Sequence, residues 1–198
     1  MYKVKVISLK RREDRRIKML HNFQHIPFEF VDGLDGRNYE LTDEDLEFIK
    51  HNEYERFGIH IPSLVCANYT HLNLIDECAN QPEDKSYPFF IFEDDVELIK
   101  PLDWTFEEIA ERTDLDVFWL MPNEPSILAY VVWPSGAKIL IDHINEVKLN
   151  RGLDWQFHNI KGSGKLREDQ LSSSYFTQQP GVDSDITNVK NYDISSNE

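Results

Sequence analysis

Three consecutive carboxylates, Glu93, Asp94 and Asp95, interrupt an apolar stretch in the segment FFIFEDDVEL. The preceding Phe and Ile residues are typical of a buried strand, and apolar residues return with Val96 and Leu98. Neighbouring carboxylates repel one another and resist ionisation unless a cation neutralises them, so a hard divalent cation is the expected companion. The alternative is structural, because acidic residues also end strands and favour helix N-termini.

Basic side chains are concentrated near the N-terminus of a chain whose formal net charge is -15. They are Lys10, Arg11, Arg12, Arg15, Arg16 and Lys18. Such a cluster could bind a small anion, and a solvated helix face with acidic neighbours is the alternative. The negative net charge argues against a nucleic acid as partner, because nucleic-acid binding depends on surplus Lys and Arg.

Length and hydropathy are typical of a globular protein. The 198 residues are enough for one domain with a substantial core. No apolar stretch approaches the roughly 20 residues that cross a bilayer, and the N-terminal segment lacks the features of a signal peptide. We therefore expect a soluble, cytoplasmic protein without a transmembrane segment, in which Cys66 and Cys78 are free thiols. The sequence leaves the formation of a homo-oligomer open.

Strand and helix patterns alternate along the chain. Strands are predicted at residues 2–9, 26–32, 88–92, 116–121 and 127–133, and helices at 13–23, 43–50, 63–78 and 135–147. This alternation predicts an α/β fold with a mostly parallel central sheet flanked by helices. Ligands of such sheets collect outside the carboxyl ends of the strands, which is where residues 93–95 would lie.

Local signals set the expected helix boundaries. The first helix is predicted from Ile17, Leu20 and Phe23, which recur at helical spacing. The third is expected to begin near Ser63, with Pro62 just outside it. The second begins at a capping box in which Asp45 follows Thr42, spelled out in the segment LTDED.

The patterns weaken towards the C-terminus. The segment GLDWQFHNI is typical of a short helix, and KGSGKLRED has the composition of a mobile loop. We therefore assign residues 1–176 to a single domain. Residues 177–198 are predicted to be a polar tail that closes over the site or is partly disordered.

Seven segments, in order along the chain, resemble glycosyltransferase family 25, which includes lipooligosaccharide and procollagen galactosyltransferases. They are VISLKRREDRR, FVDGLDG, SLVCANYTHLNL, FIFEDDVEL, AYVVWPSGAKIL, GLDWQF and QQPGVDSDI, from residue 6 to residue 186. The resemblance implies a GT-A-like nucleotide-diphospho-sugar transferase fold. In that fold a DxD-like motif holds Mn²⁺, or Mg²⁺, together with a UDP-sugar.

The resemblance also implies roles for individual residues. Asp95 would ligate the metal with Glu93 or Asp94 at the metal or ribose, and Asp183 and Asp185 would approach it from the other side, unless they are plain tail acids. Contacts to the nucleotide are expected from Ser8, Leu9, Arg12, Arg15, Arg16, Asp32, Gly33, His71, Glu93 and Asp94. An ordinary turn at residues 32–33 and a core position for His71 are the alternatives.

Inverting transfer needs a general base that takes the proton of the acceptor hydroxyl. Asp154 occupies the family position for this role, and a helix N-cap is the alternative. The expected function is a metal-dependent inverting transfer of galactose or glucose from UDP-galactose or UDP-glucose to a hydroxyl of a glycan or protein. One alternative is an inactive family member that binds nucleotide or glycan as a partner module. Another is an unrelated acidic α/β protein whose carboxylates only end a strand.

Overall fold

The computed structural model describes residues 1–50, 59–122, 127–148, 152–179 and 185–186. The strands in this part of the chain are β1 (Lys3–Ser8), β2 (Glu29–Asp32), β3 (Phe89–Glu93), β4 (Val96–Leu98), β5 (Val117–Trp119), β6 (Ala129–Val132), β7 (Glu168–Gln170) and β8 (Phe176–Gln178). The helices are α1 (Glu13–Asn22), α2 (Asp43–Lys50), α3 (Ile61–Ala79), α4 (Phe106–Ala110), α5 (Pro134–Val147) and α6 (Leu153–Ile160).

The central sheet of the described residues has six strands in the order β2-β1-β3-β6-β5-β7. Strand β1 pairs in parallel with β2 and β3, and β5 pairs in parallel with β7. Only β6 runs in the opposite direction, between β3 and β5. An antiparallel neighbour needs no helical crossover, which suits the short connection from β5 to β6. The predicted α/β fold with a mostly parallel sheet is confirmed.

Helices cover both faces of this sheet. Side chains of β3 alternate, so that Phe90 and Phe92 pack towards α1 and α4 while Phe89 and Ile91 pack towards α3, α5 and α6. All four are 0% exposed, and burial of each such side chain contributes about 1.5–3 kcal/mol. The apolar run before the three carboxylates is therefore a strand that is buried on both faces.

Helix α1 lies where it was predicted, but the face that its apolar residues predicted to be buried is largely exposed. Ile17 and Leu20 are 67% and 55% exposed, while Arg15, Met19 and Phe23 are buried at a spacing of four residues. Arg15 takes a buried position because a carboxylate lies opposite it, as described below. A hydrophobicity pattern assigns such a residue to solvent, so the predicted face is displaced.

Other helix starts follow their local signals. The carboxylate of Asp45 accepts hydrogen bonds from the backbone N–H and the hydroxyl of Thr42, both at 2.8 Å, which confirms the capping box of α2. Helix α3 begins at Ile61, two residues earlier than predicted, and Pro62 lies in its first turn. Proline is tolerated there because the first backbone N–H groups of a helix have no partner within the helix.

Four elements were missed, namely α4, β4, β7 and β8. Strand β7 lies partly within the predicted mobile loop, because it is an edge strand with polar, largely exposed side chains and so lacks apolar alternation. Helix α4 begins with a capping box of Thr105 and Glu108. Strand β8 pairs with β4, so the segment assigned to the tail begins inside a two-stranded sheet.

Two further features agree with the sequence. Cys66 and Cys78 are buried free thiols, as predicted. Within the described ranges, each helix is too short or too polar to span a membrane.

Candidate functional site

The carboxyl ends of β1, β2 and β3 meet at one edge of the sheet. In the strand register Ser8 lies beside Asp32, and Ile7 lies beside Glu93. A cavity of about 330 Å³ opens at this edge. Its lining includes these predicted site residues: Ser8, Leu9, Arg15, Gly33, His71, Glu93, Asp94, Asp95, Asp154 and Asp185. The topology therefore brings together residues that are up to 177 positions apart in the chain.

Three predicted nucleotide contacts, Arg12, Arg16 and Asp32, are not part of the cavity lining. The guanidinium of Arg16 donates to Asp32 at 2.7 Å and to the backbone carbonyl of Ser8 at 2.9 Å. Gly33 N–H donates to the same carbonyl at 3.0 Å. These contacts fix the ends of β1 and β2 against each other, so Arg16 and Asp32 support the wall from outside.

Asp94 is a buried carboxylate with two strong partners. It is 4% exposed, and its two oxygens accept from Arg15 Nη1 and Ser8 Oγ, each at 2.7 Å. Burial raises the pKa of Asp94, and Arg15 and Ser8 oppose this effect by stabilising the charged form. Asp94 thus ties α1 to the ends of two strands and holds Arg15 at the cavity.

Strand β8 and the residue after it orient Asp95. Gln178 Nε2 donates to its Oδ2 at 3.0 Å, and Gln179 N–H donates to its backbone carbonyl at 2.7 Å. The other carboxylate oxygen, Oδ1, is buried and has no hydrogen-bond partner among the described residues. A buried oxygen without a partner is costly for the protein unless a ligand or a cation satisfies it.

Asp185 reaches the same edge from the C-terminal part of the chain. Its two oxygens accept from Arg11 Nη2 at 2.6 Å and from Arg12 Nη1 at 2.8 Å, and Arg15 Nη1 is 3.9 Å away. We use the name arginine side for four residues that line the cavity, Asp94, Asp95, Asp185 and Arg15, together with Arg11 and Arg12, which are bonded to Asp185. Asp183 lies outside the described residues.

His71, Glu93 and Asp154 also line the cavity, and together with Tyr130, which contacts His71, we call them the histidine side. His71 is buried, with Nε2 at 3.1 Å from Glu93 Oε1 and Nδ1 at 3.2 Å from the hydroxyl of Tyr130. Burial lowers the pKa of His71 to about 4, so the imidazole is neutral at neutral pH. Burial, together with the charges of Asp95 and Asp154, raises the pKa of Glu93 well above its usual range.

Asp154 lies in the first turn of α6, but it does not cap this helix. The N-cap residue is Gly152, so the alternative of an N-cap role is wrong. Asp154 Oδ1 accepts a hydrogen bond from the backbone N–H of Ile127 at 2.9 Å, and burial raises the pKa of Asp154. A carboxylate with a raised pKa in a cavity is well suited to proton transfer.

Several cavity residues were missed by the sequence analysis. They are Ile7, Leu34, Gly36, Ser63, Leu64, Ala67, Asn68, Thr70, Ile127, Leu128, Gln178 and Ile186. Most of them lie within the quoted family segments, and Gly36 is the second glycine of FVDGLDG. A Cβ at Gly36 would lie 2.3 Å from the backbone nitrogen of Ser63. Asn68 accepts from Leu153 N–H at 3.0 Å and thereby anchors the helix that carries Asp154.

The described residues do not form a complete metal site by themselves. No three His, Cys, Asp or Glu side chains in that part of the chain are grouped so that they could hold an ion. Mg²⁺ commonly binds through one or two carboxylates, with substrate phosphates and water completing its shell. Asp95 has one oxygen without a hydrogen-bond partner, so it fits a site in which substrate phosphates and water supply the other ligands.

Comparisons with known proteins identify a sequence family and a similar solved structure. Residues 1–124 match the sequence model of "Glycosyltransferase family 25 (LPS biosynthesis protein)". Among solved structures, the chain is similar to "a glycosyltransferase involved in the glycosylation of the major capsid of PBCV-1", with a TM-score of 0.46 and 10% identity over 92% of this chain and 94% of that chain. No curated protein matches the chain in sequence. The family match includes residues 93–95 and ends before Asp154.

Proposed function

Since the chain belongs to glycosyltransferase family 25, we propose that it transfers galactose or glucose, with inversion, from a UDP-sugar to a hydroxyl of a glycan or protein acceptor. The observation that carries this proposal is the division of one cavity into two chemically different walls. The arginine side offers guanidinium groups to a diphosphate, and the histidine side offers carboxylates of raised pKa to a reacting hydroxyl.

The nucleotide is proposed to enter between the ends of β1 and β2 and the start of α3. Here Leu9, Gly33, Leu34 and Leu64 line the cavity with apolar and backbone atoms, which suit the face of a uracil ring. The adjacent Arg15 would then face the diphosphate. This places the reacting sugar towards the histidine side.

The metal is proposed to bind at Asp95, through the oxygen that has no other partner. Mn²⁺ or Mg²⁺ held there would offset the charge that develops on the departing UDP. Gln178 fixes the other oxygen of Asp95 and so sets the direction in which the free one points. Asp185 is the second candidate ligand, once its bonds to the arginines are released.

Asp154 is proposed as the general base. Its carboxylate would accept the proton of the acceptor hydroxyl as that oxygen attacks the anomeric carbon and the bond to UDP breaks. The N–H of Ile127 holds the carboxylate of Asp154 in place by a hydrogen bond, and this N–H cannot itself accept a proton. His71 is a positioning residue, because it contacts Glu93 and Tyr130 and lies buried behind Glu93.

Thermal melting with UDP, with and without Mn²⁺, tests the binding part of this proposal. At a hundredfold excess over the dissociation constant, a ligand of the folded state adds about 2.7 kcal/mol of stability. We expect UDP alone to raise the melting temperature, Mn²⁺ to increase this rise, and Asp95→Ala to lose the increase that Mn²⁺ adds. The exposed Asp142→Ala on α5 is the matched control and should keep the rise.

A panel of UDP-sugars then tests the reaction. We expect release of UDP from UDP-galactose or UDP-glucose, faster when an acceptor is present. Binding of UDP without release from any donor would identify an inactive binding protein. Absence of any thermal shift with UDP, in either metal condition, would contradict a UDP-sugar as the donor.

A further inference from the structure

One feature of the arginine side is not explained by donor binding: a carboxylate of the protein already occupies it. Asp185 is bonded by two guanidinium groups, at 2.6 and 2.8 Å, and its side chain is only 13% exposed. Its backbone neighbour is also attached, because the carbonyl of Ile186 accepts from His60 N–H at 2.7 Å. Residues 185–186 are thus docked at the cavity by their own contacts.

The arginines carry other acidic partners as well. Arg11 Nε donates to Asp35 at 2.7 Å, the guanidinium of Arg12 donates to Asp14 at 2.9 Å, and Arg15 donates to Asp94. These three carboxylates already match the three guanidinium charges, and Asp185 adds a fourth negative charge to the cluster. A diphosphate that approached the cluster in this state would meet little net attraction.

Asp185 differs from these other partners in three ways. It alone among them bonds two arginines, and unlike Asp14 and Asp35 it lines the cavity. Asp94 also lines the cavity, but it is held by Ser8 at a strand end. Asp185 lies in a turn outside the helices and strands. It is therefore the acidic partner that an incoming anion can replace at the lowest structural cost.

We propose that Asp185 acts as an internal competitor of the donor diphosphate, holding Arg11 and Arg12 until the donor displaces it. Carboxylate and phosphate oxygens accept from guanidinium groups with similar geometry, so one can stand in for the other. The inference rests on the proposed function, because it identifies the diphosphate as the displacing anion.

Titration calorimetry with UDP in the presence of EDTA tests this inference. Asp185→Asn keeps the size of the side chain and removes its charge, so UDP should bind about tenfold more tightly than to the wild type. Asp185→Glu keeps the charge and should bind like the wild type. Asp14→Asn is the matched control: it removes the same charge beside Arg12 but on the solvent side, and it should change affinity less than about twofold.

Equal or weaker binding of UDP to Asp185→Asn would overturn the inference while leaving the proposed function intact. Absence of UDP binding to all variants, even with Mn²⁺, would contradict the proposed function and the inference with it. Circular dichroism shows whether each variant is folded, and Asp185→Ala serves as the second neutral variant. Failure of both neutral variants to fold would show a structural role and would also overturn the inference.

Discussion

The arginine side and the histidine side begin at adjacent residues of one strand end, yet they handle charge in opposite ways. On the arginine side each carboxylate lies within 4.0 Å of a guanidinium group. On the histidine side, Glu93 and Asp154 form no described ion pair with a Lys or Arg, and the imidazole near Glu93 is neutral. Successive side chains at a strand end point to opposite sides, which separates Glu93 from Asp94.

This difference explains why three like charges can follow one another in the sequence. Asp94 is stabilised as an anion by Arg15 and Ser8, so it serves to hold the guanidinium group of Arg15 in place. Burial raises the pKa of Asp94, Glu93 and Asp154 alike, but only at Asp94 does an ion pair with a guanidinium group oppose the rise. Ion pairing therefore suits one wall to anion binding, and its absence suits the other to proton transfer.

Asp154→Asn should distinguish the functions of the two sides most strongly. If the histidine side performs only proton transfer, turnover should fall about 100- to 10,000-fold while the dissociation constant of UDP stays within about twofold. Asparagine keeps an oxygen for the N–H of Ile127, so the fold should be unaffected. Steady-state release of UDP and titration calorimetry measure the two effects, with Asp142→Asn as the exposed control. Activity within about threefold of the wild type would remove Asp154 from the role of base.

Arg15→Gln should break the arginine side by leaving Asp94 buried without its cation. Loss of one member of a buried ion pair typically costs about 3–5 kcal/mol of unfolding free energy. The double variant Arg15→Gln/Asp94→Asn removes both charges and should recover a substantial part of this loss, as measured by urea denaturation. If the two substitutions prove additive, the pair is not coupled and the described role of Asp94 is wrong.

The histidine side should make two opposing contributions to the pH dependence of the unfolding free energy. Between pH 4 and 6.5 the unfolded state binds a proton at His71 that the folded state does not, so this residue makes stability rise with pH. Glu93 has a raised pKa when folded, so above about pH 4.5 the folded state holds the extra proton and stability falls as pH rises. The two contributions partly cancel in the wild type.

Glu93→Gln should therefore show a steeper rise of unfolding free energy from pH 4 to 6.5 than the wild type, and His71→Gln should show the opposite change. The contribution of His71 alone amounts to about 3 kcal/mol over this range. Urea denaturation in EDTA at several pH values measures it. Slopes that are unchanged in both variants would mean that neither group titrates differently in the folded and unfolded states.

The fold was largely predictable because its central strands are apolar and its main helices carry local start signals. The run at residues 89–92 and the capping box at Thr42 gave the right elements. The elements that were missed, α4, β4, β7 and β8, have only three to five residues each, too few to show a clear pattern. The buried face of α1 was wrong because Arg15 is buried by an ion pair that no single segment of the sequence reveals.

The site was predictable as a set of residues and much less so as a set of contacts. Strand ends and the family segments brought residues 8–9, 33, 71, 93–95 and 154 to one cavity, as expected. Which arginine meets which carboxylate depends on α1 docking against β3 and on the position of residue 185. These are long-range contacts, and a linear pattern does not encode them. Arg11 was accordingly placed in the basic cluster but not among the expected nucleotide contacts, although it is bonded to Asp185.

The smallest effect is expected from Asp32→Asn, which tests the outer boundary of the arginine side. Asp32 pairs with Arg16 and Lys10, but its side chain is 50% exposed and it does not line the cavity. Solvent-exposed ion pairs contribute about 0.2–1 kcal/mol, so unfolding free energy should fall by less than about 1 kcal/mol and UDP affinity by less than about threefold. The sequence alone placed Asp32 against the nucleotide, and on that view UDP affinity would fall far more. Calorimetry on Asp32→Asn beside the buried Asp94→Asn therefore decides whether the arginine side extends to Asp32 or ends at Asp94.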